Sequence, residues 1–355
     1  MPGPGRGLRE ARAAEESPRA RRRASGTADA AAQHPYRKDP ELVPSYSDMR
    51  LLAVHAHPDD ESSKGAATMA HYRRLGVDVM VVTCTGGESG SILNSAMESV
   101  PHARRDLAGY RRQEMARAAE ALDVRHRWLG FADSGLPEGD PLPPLPEACF
   151  ALQPIERAAA PLVRLVREFR PHVILTYDEN GGYPHPDHIQ AHNVAMRAWQ
   201  KAGDPEHMPE LGEPWEPLKL YYDRAFDLAR LEALHRALEE KGLESPFAER
   251  IARRLEARDT EGNDSAPNEH VTTTKVHCAE CFGVRDDALR AHATQVSPES
   301  WFFAMSAEDQ AAAWPWEDYV RAETRVEAEL PETCVFAGIV DEVHPDPEDA
   351  PTWQI

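Results

Sequence analysis

The chain has 355 residues, 41% of them hydrophobic, and a formal net charge of -20, which suits one large or two modest globular domains with a buried core. The acidic balance argues against general attraction to nucleic acid or to an anionic membrane surface. No run of about 18 apolar residues is present that could span a bilayer. The expected partner is a small molecule, and oligomeric state stays open.

The stretch from Met1 to about Ala32 is rich in Arg and Ala but lacks the apolar stretch of a secretory signal. The first 45 residues read as a disordered extension, with Met49 standing as an alternative start just before the first strand. Arg50 to Val54 is a short apolar run that reads as a buried strand. Ser62 to Leu75 reads as a helix ended by Gly76, and Val77 to Thr83 as the next strand. Strand, helix, strand over about thirty residues is the unit of a parallel sheet.

The alternation continues with Tyr110 to Leu122 (helix), Val124 to Leu129 (strand), Leu162 to Phe169 (helix) and His172 to Thr176 (strand). Between Pro137 and Pro154 the Pro-rich, acidic composition predicts an irregular loop. The class is therefore α/β, doubly wound, with a mostly parallel sheet and helices on both faces. Beyond Ala202 the pattern weakens into an α+β extension. Leu228 to Lys241 and Ala248 to Arg258 read as helices, Asp259 to Glu269 as a solvated loop, and Val271 to Cys278 as a strand. The predicted organisation is a core over 46–202, a C-terminal part over 203–340 that completes the substrate site, and a tail over 341–355.

Five scattered cysteines do not form a disulfide framework and suit a reducing cytoplasm. Cys278 and Cys281 make one CxxC, which without a second pair is a weak metal signal.

Ligands collect at the carboxyl ends of strands in open α/β sheets, and two such places stand out. After the first strand comes His55-Ala56-His57-Pro58-Asp59-Asp60-Glu61. Imidazole and carboxylate are the usual ligands of a catalytic zinc, which takes three protein groups. His57 and Asp60 can point at one ion. Asp59 then sits beside the ion as a general base for water attack, although any single Asp here could equally cap a helix.

The second place follows the fourth strand, Tyr177 to His188. Either His185 or His188 can supply the third ligand, and His188 is the better choice because it opens a helix predicted over Ile189 to Lys201. His185 is then available to hydrogen-bond the oxygen that becomes negative in a tetrahedral intermediate, with Asp187 orienting that imidazole. His192 reads as solvated. The expected cofactor is one Zn2+ per chain, with Fe2+ as the alternative for a His/Asp site.

Ala56-His57-Pro58-Asp59-Asp60-Glu61 together with His185-Pro186-Asp187-His188 resembles the LmbE-like, or PIG-L, family of zinc-dependent N-deacetylases and amidases. The resemblance implies a Rossmann-like fold, zinc on His57, Asp60 and His188, Asp59 as base, His185 as transition-state partner, and Tyr183 polarising the amide oxygen. Further shared stretches are Ser62-Ser63-Lys64, Gly86-Gly87-Glu88, Gly130 to Leu136, Tyr177 to Tyr183 and Arg285 to Gln295. They point to the branch of the family that cleaves mycothiol S-conjugates. That branch implies hydrolysis to an N-acetylcysteine conjugate and glucosaminyl-inositol, with Lys64 helping to select the bulky conjugate. The alternative is deacetylation of acetylglucosaminyl-inositol or of another amino sugar.

Glu88, Arg111 and Asp133 are the remaining candidates for sugar contacts. A non-catalytic binder would leave Asp59 without a purpose. A dinucleotide enzyme would need GxGxxG where His57-Pro58 stands, and no basic stretch near the motifs could hold the phosphates a nuclease requires.

Overall fold

The computed structural model describes residues 46–260 and 270–340. The predicted extension over 1–45, the tail over 341–355 and most of the predicted loop over 259–269 lie outside the described residues. Seven strands form one sheet: β1 (Arg50–His55), β2 (Asp78–Thr85), β3 (Arg125–Phe131), β4 (Val173–Thr176), β5 (Lys219–Asp223), β6 (Thr274–His277) and β7 (Trp316–Thr324). Ten helices accompany them: α1 (Asp60–Ser63), α2 (Ala66–Arg74), α3 (Pro101–Arg105), α4 (Leu107–Leu122), α5 (Ile155–Phe169), α6 (Pro186–Lys201), α7 (Leu228–Glu240), α8 (Ala248–Thr260), α9 (Phe282–Ala291) and α10 (Ala307–Ala313). None is long and apolar enough to cross a membrane.

The strand order is β3-β2-β1-β4-β5-β7-β6. The first five strands pair in parallel, whereas β7 runs antiparallel to both β5 and β6. Successive residues of β1 point to opposite faces. Leu51 and Ala53 join α2, α4 and α9 in one core, while Leu52 and Val54 join α5 and α6 in the other. Burial on both sides is why β1 and β4 are continuous apolar runs rather than alternating ones. Because chain order reverses between β1 and β4, the sheet has its switch point there, where the crevice for a ligand opens.

The structure corrects two expectations here. The helix predicted over Ser62 to Leu75 is broken in two at Gly65, whose φ of 83° is left-handed and where an added Cβ would lie 3.1 Å from the Tyr319 hydroxyl. Extended backbone at Lys64 just before the break turns its side chain back toward Asp60. The strands β5 and β7 and the helices α3, α9 and α10 have no counterpart in the predicted elements. The sheet continues from β4 through β5, β7 and β6 without interruption.

Candidate active site

Both His/Asp clusters lie at the switch point, one after β1 and one after β4. Each side chain is held by a named partner. Asp60, 4% exposed, receives the Tyr177 hydroxyl at 2.8 Å and the His57 amide at 3.0 Å on one oxygen, and Lys64 Nζ at 2.6 Å on the other. Burial alone would raise its pKa, but His188 and Lys64 hold the carboxyl well below the usual range. It is ionised. The Tyr177 hydroxyl also accepts the Ala56 amide at 2.9 Å, tying the end of β4 to the turn after β1.

His188 donates from Nδ1 to the Gly181 carbonyl at 3.0 Å. The close approach requires glycine, since a Cβ at Gly181 would lie 2.6 Å from the Cβ of His188. Its Nε2 is left 3.4 Å from Asp60, buried and with no hydrogen-bond partner. Burial pushes its pKa down to about 3, so the ring is a neutral lone-pair donor. His57 Nε2 faces Asp187 at 3.3 Å and Asp133 at 3.5 Å, and Nδ1 faces Asp60 at 3.6 Å. A proton held on Nε2 by these carboxylates leaves Nδ1 as the ligand atom, the usual arrangement around a metal-bound imidazole.

Ligand atoms of His57, Asp60 and His188 lie within 4.8 Å of one another. A neutral imidazole with an orphaned buried nitrogen, a second imidazole fixed from behind and an ionised carboxylate fit a divalent ion of the zinc type. His57, His185 and Asp187 form a second group that meets the same distance test. In that group the carboxylate of Asp187 is already used: one oxygen takes the Ser134 amide at 2.8 Å, the other the Ala151 amide at 3.1 Å.

Asp59 is bonded to neither cluster. Its φ of 121° is left-handed and non-glycine, a conformation that costs about 1–3 kcal/mol and persists only where surroundings impose it. Glu61 imposes it, taking the Asp59 amide at 3.0 Å. Glu61 is itself fully buried and paired with His292 Nε2 at 2.6 Å. Burial, and then the charge of Asp60, raise the Asp59 carboxyl to about 6, a suitable value for a general base near neutral pH.

His185 stands at the N-terminus of α6, and its Nδ1 accepts the Asp187 backbone amide at 3.2 Å. Nε2 therefore carries the proton of the neutral ring. Burial and the neighbouring His57 lower the pKa of His185, which keeps it a neutral donor. The carboxylate of Asp187 was expected to orient this ring; it meets His57 instead, because the helix start occupies His185 Nδ1 with backbone. Tyr183 is 44% exposed and its ring lies 4.6 Å from that of His188.

The other candidates fall in two places. Lys64 is buried against Asp60, its ring neighbours being Tyr177 and Phe226. Arg111, 3% exposed, donates to the carbonyls of Gly87 and Ser91 and so clamps the loop after β2. Exposed Glu88 accepts the Asp133 amide at 3.0 Å, and Asp133 takes the Ser89 and Gly135 amides at 3.0 and 2.8 Å. His192, read as solvated, is buried with Nδ1 3.0 Å from the Tyr177 carbonyl. Sequence reasoning gave no role to Tyr177, Glu61, His292 or Asp223. Tyr177 ends β4 and could have been found by the strand-end rule. His292 lies 231 residues from Glu61, beyond any spacing signal. Burial raises Asp223 to about 7 beside Lys64.

Comparison with known proteins identifies relatives of this chain. Residues 52–199 match the PIG-L family, described as GlcNAc-PI de-N-acetylase. The chain is 54% identical to mycothiol S-conjugate amidase of Streptomyces coelicolor over 82% of its own length and 98% of that protein. It is 40% identical to 1D-myo-inositol 2-acetamido-2-deoxy-alpha-D-glucopyranoside deacetylase of Streptomyces scabiei, over 82% of this chain and 90% of that one. Among solved structures, N,N'-diacetylchitobiose deacetylase from Pyrococcus horikoshii shares the fold, with a TM-score of 0.50 at 16% identity over 81% of this chain and 85% of that one. Fold and relatives agree: the chain belongs to the PIG-L family of amide-cleaving hydrolases.

Proposed function

We propose that this protein is a metal-dependent amidase that hydrolyses the amide of mycothiol S-conjugates, releasing an N-acetylcysteine conjugate and glucosaminyl-inositol. The observation that carries the substrate is 54% identity over 98% of the amidase, against 40% for the deacetylase. We assign the resident ion as Zn2+ on His57, Asp60 and His188, with Fe2+ as the alternative. When bound, the ion supplies Lewis acidity that polarises the amide oxygen and brings the pKa of water toward neutrality.

The protein's own groups do the rest. Asp59 takes the proton from the attacking water. His185 donates from Nε2 to the oxygen as it becomes negative, and Tyr183 reaches the same oxygen from the exposed side. Asp187 and Asp133 hold the His57 ring, and Lys64 keeps Asp60 ionised while facing the incoming conjugate. Glu88 is the exposed group offered to the sugar. Arg111 acts behind it through the loop it clamps. Residues 46–202 supply the chemistry and 203–340 complete the substrate site. The cytoplasm suits the buried thiols Cys84, Cys149, Cys278 and Cys281.

The alternative, deacetylation of acetylglucosaminyl-inositol, is favoured by the 40% identity to enzymes of that name. The test compares kcat/KM of zinc-loaded protein for a bimane-type S-conjugate of mycothiol and for acetylglucosaminyl-inositol. Faster cleavage of the conjugate is expected. Faster release of acetate would move the protein to the deacetylase reading.

A further inference from the structure

Beyond the chemistry, the chain leaves the sheet at Asp223, the carboxyl end of β5, and returns only at Thr274. In that excursion it builds α7 and α8, and Leu231, Leu234, Leu238 and Phe247 join Met305, from the segment before α10, in a third hydrophobic cluster against which Trp301 packs. This cluster is separate from the two that cover the sheet faces. Covering the sheet does not require it.

A cavity of about 40 Å³ lies between this cluster and α1. Phe226, Leu231, Leu234, Phe247, Trp301 and Met305 line it on one side, and Ser62 and Ser63 of α1 on the other. The helix α1 begins at Asp60. The Phe226 ring lies 5.8 Å from Lys64 Nζ, which is 2.6 Å from Asp60. Phe226 is thus a wall shared by the cavity and the ligand cluster. Phe226, Trp301 and Phe302 are half-buried, so the mouth of the cavity faces solvent while Leu231, Leu234 and Phe247 close its floor. Arg285, 5% exposed, also lines it; Nε and Nη2 are bonded to Asp286 and Gln310, and Nη1 is buried with no hydrogen-bond partner among the described residues.

We infer that this cavity receives the group carried on the sulfur of the substrate, and that it selects an apolar group, with Arg285 offering one donor to an acceptor atom on it. The inference rests on the amidase reading, since only that substrate has a cysteinyl arm. Space of this size takes about three waters, or the leading atoms of one apolar group. Displacing water from the apolar side chains of the wall is favourable. Acetylglucosaminyl-inositol has no arm to reach it.

The experiment uses the full chain loaded with zinc and three substrates: S-benzyl-mycothiol, S-methyl-mycothiol and acetylglucosaminyl-inositol. Phe226→Ala removes the shared wall, and Leu234→Phe fills the floor without adding polarity; thermal unfolding confirms that each variant folds. Both variants are expected to lower the ratio of kcat/KM for S-benzyl-mycothiol to that for acetylglucosaminyl-inositol about tenfold or more, chiefly through KM, the scale on which an apolar pocket discriminates. The S-methyl ratio should change far less. An unchanged S-benzyl ratio, or equal losses on all three substrates, would overturn the assignment while leaving the amidase reading in place. A parent enzyme that cleaves neither conjugate but releases acetate would overturn the amidase reading, and the cavity assignment with it.

Discussion

The two regions that meet at α1 are built in opposite ways. At the switch point three carboxylates are each fixed by partners: Asp60 by Tyr177, Lys64 and the His57 amide, Glu61 by His292, and Asp187 by two backbone amides. The region after β5 encloses an apolar cluster of its own and meets the first at Phe226 and α1. Reaction chemistry needs groups held to a fraction of an ångström. Selecting an apolar substituent needs only shape and water exclusion, so that region can vary while the chemistry stays fixed.

The predictions probe this division. His188→Ala removes a neutral imidazole whose buried Nε2 faces Asp60, and metal content measured after gel filtration should fall from one ion per chain to none, with activity lost. An ion retained at full stoichiometry would remove His188 from the ligand set. His292→Ala strands the Glu61 carboxylate in the core, which should cost about 3–5 kcal/mol in denaturant unfolding, as for other broken buried pairs. The sign with pH follows from the shifts. Glu61 is depressed to about 2, so its contribution is full above its ordinary value of 4.5 and is lost as pH falls toward 2. The difference between parent and variant should therefore shrink below pH 4.5, and a difference that grows there would contradict the pairing.

His185→Gln keeps a donor but displaces it, and kcat should fall about 10²–10³-fold, as when an oxyanion donor is removed, with metal content unchanged. Equal kcat in parent and variant would free His185 from that role. Tyr183→Phe should have the smallest effect, about tenfold on kcat, because the ring remains over His188 and only an exposed hydroxyl is lost. A loss as large as that of His185→Gln would make Tyr183 the principal donor.

The same division explains what the sequence disclosed. The strands β1 and β4 are buried on both faces, so they stand out as apolar runs, and the residues after them carry the ligand set in compact order. The strand β7 hid itself. Its inward positions include Glu317 and Asp318, and Glu317 accepts the amides of Ala67 and Thr68 at 3.3 and 2.8 Å, capping the start of α2 from about 250 residues away. A carboxylate serving a helix end interrupts the apolar pattern by which strands are read. Burial of His192 and the pairing of His292 with Glu61 were illegible for a related reason: both depend on partners brought close only by the completed sheet. Gly65, by contrast, lay in view, but a glycine inside a helical pattern does not announce a break until its left-handed φ is known.

In the proposed mechanism His57, Asp60 and His188 hold the ion while Asp59, in the left-handed turn whose amide Glu61 accepts, moves the proton. Asp59→Asn tests it most directly, with metal content and hydrolysis of the S-conjugate measured on the same preparation. The variant should hold one ion per chain, as in the parent, with turnover reduced about 10²–10⁴-fold, the usual contribution of a general base. Turnover equal to the parent with metal retained would contradict it.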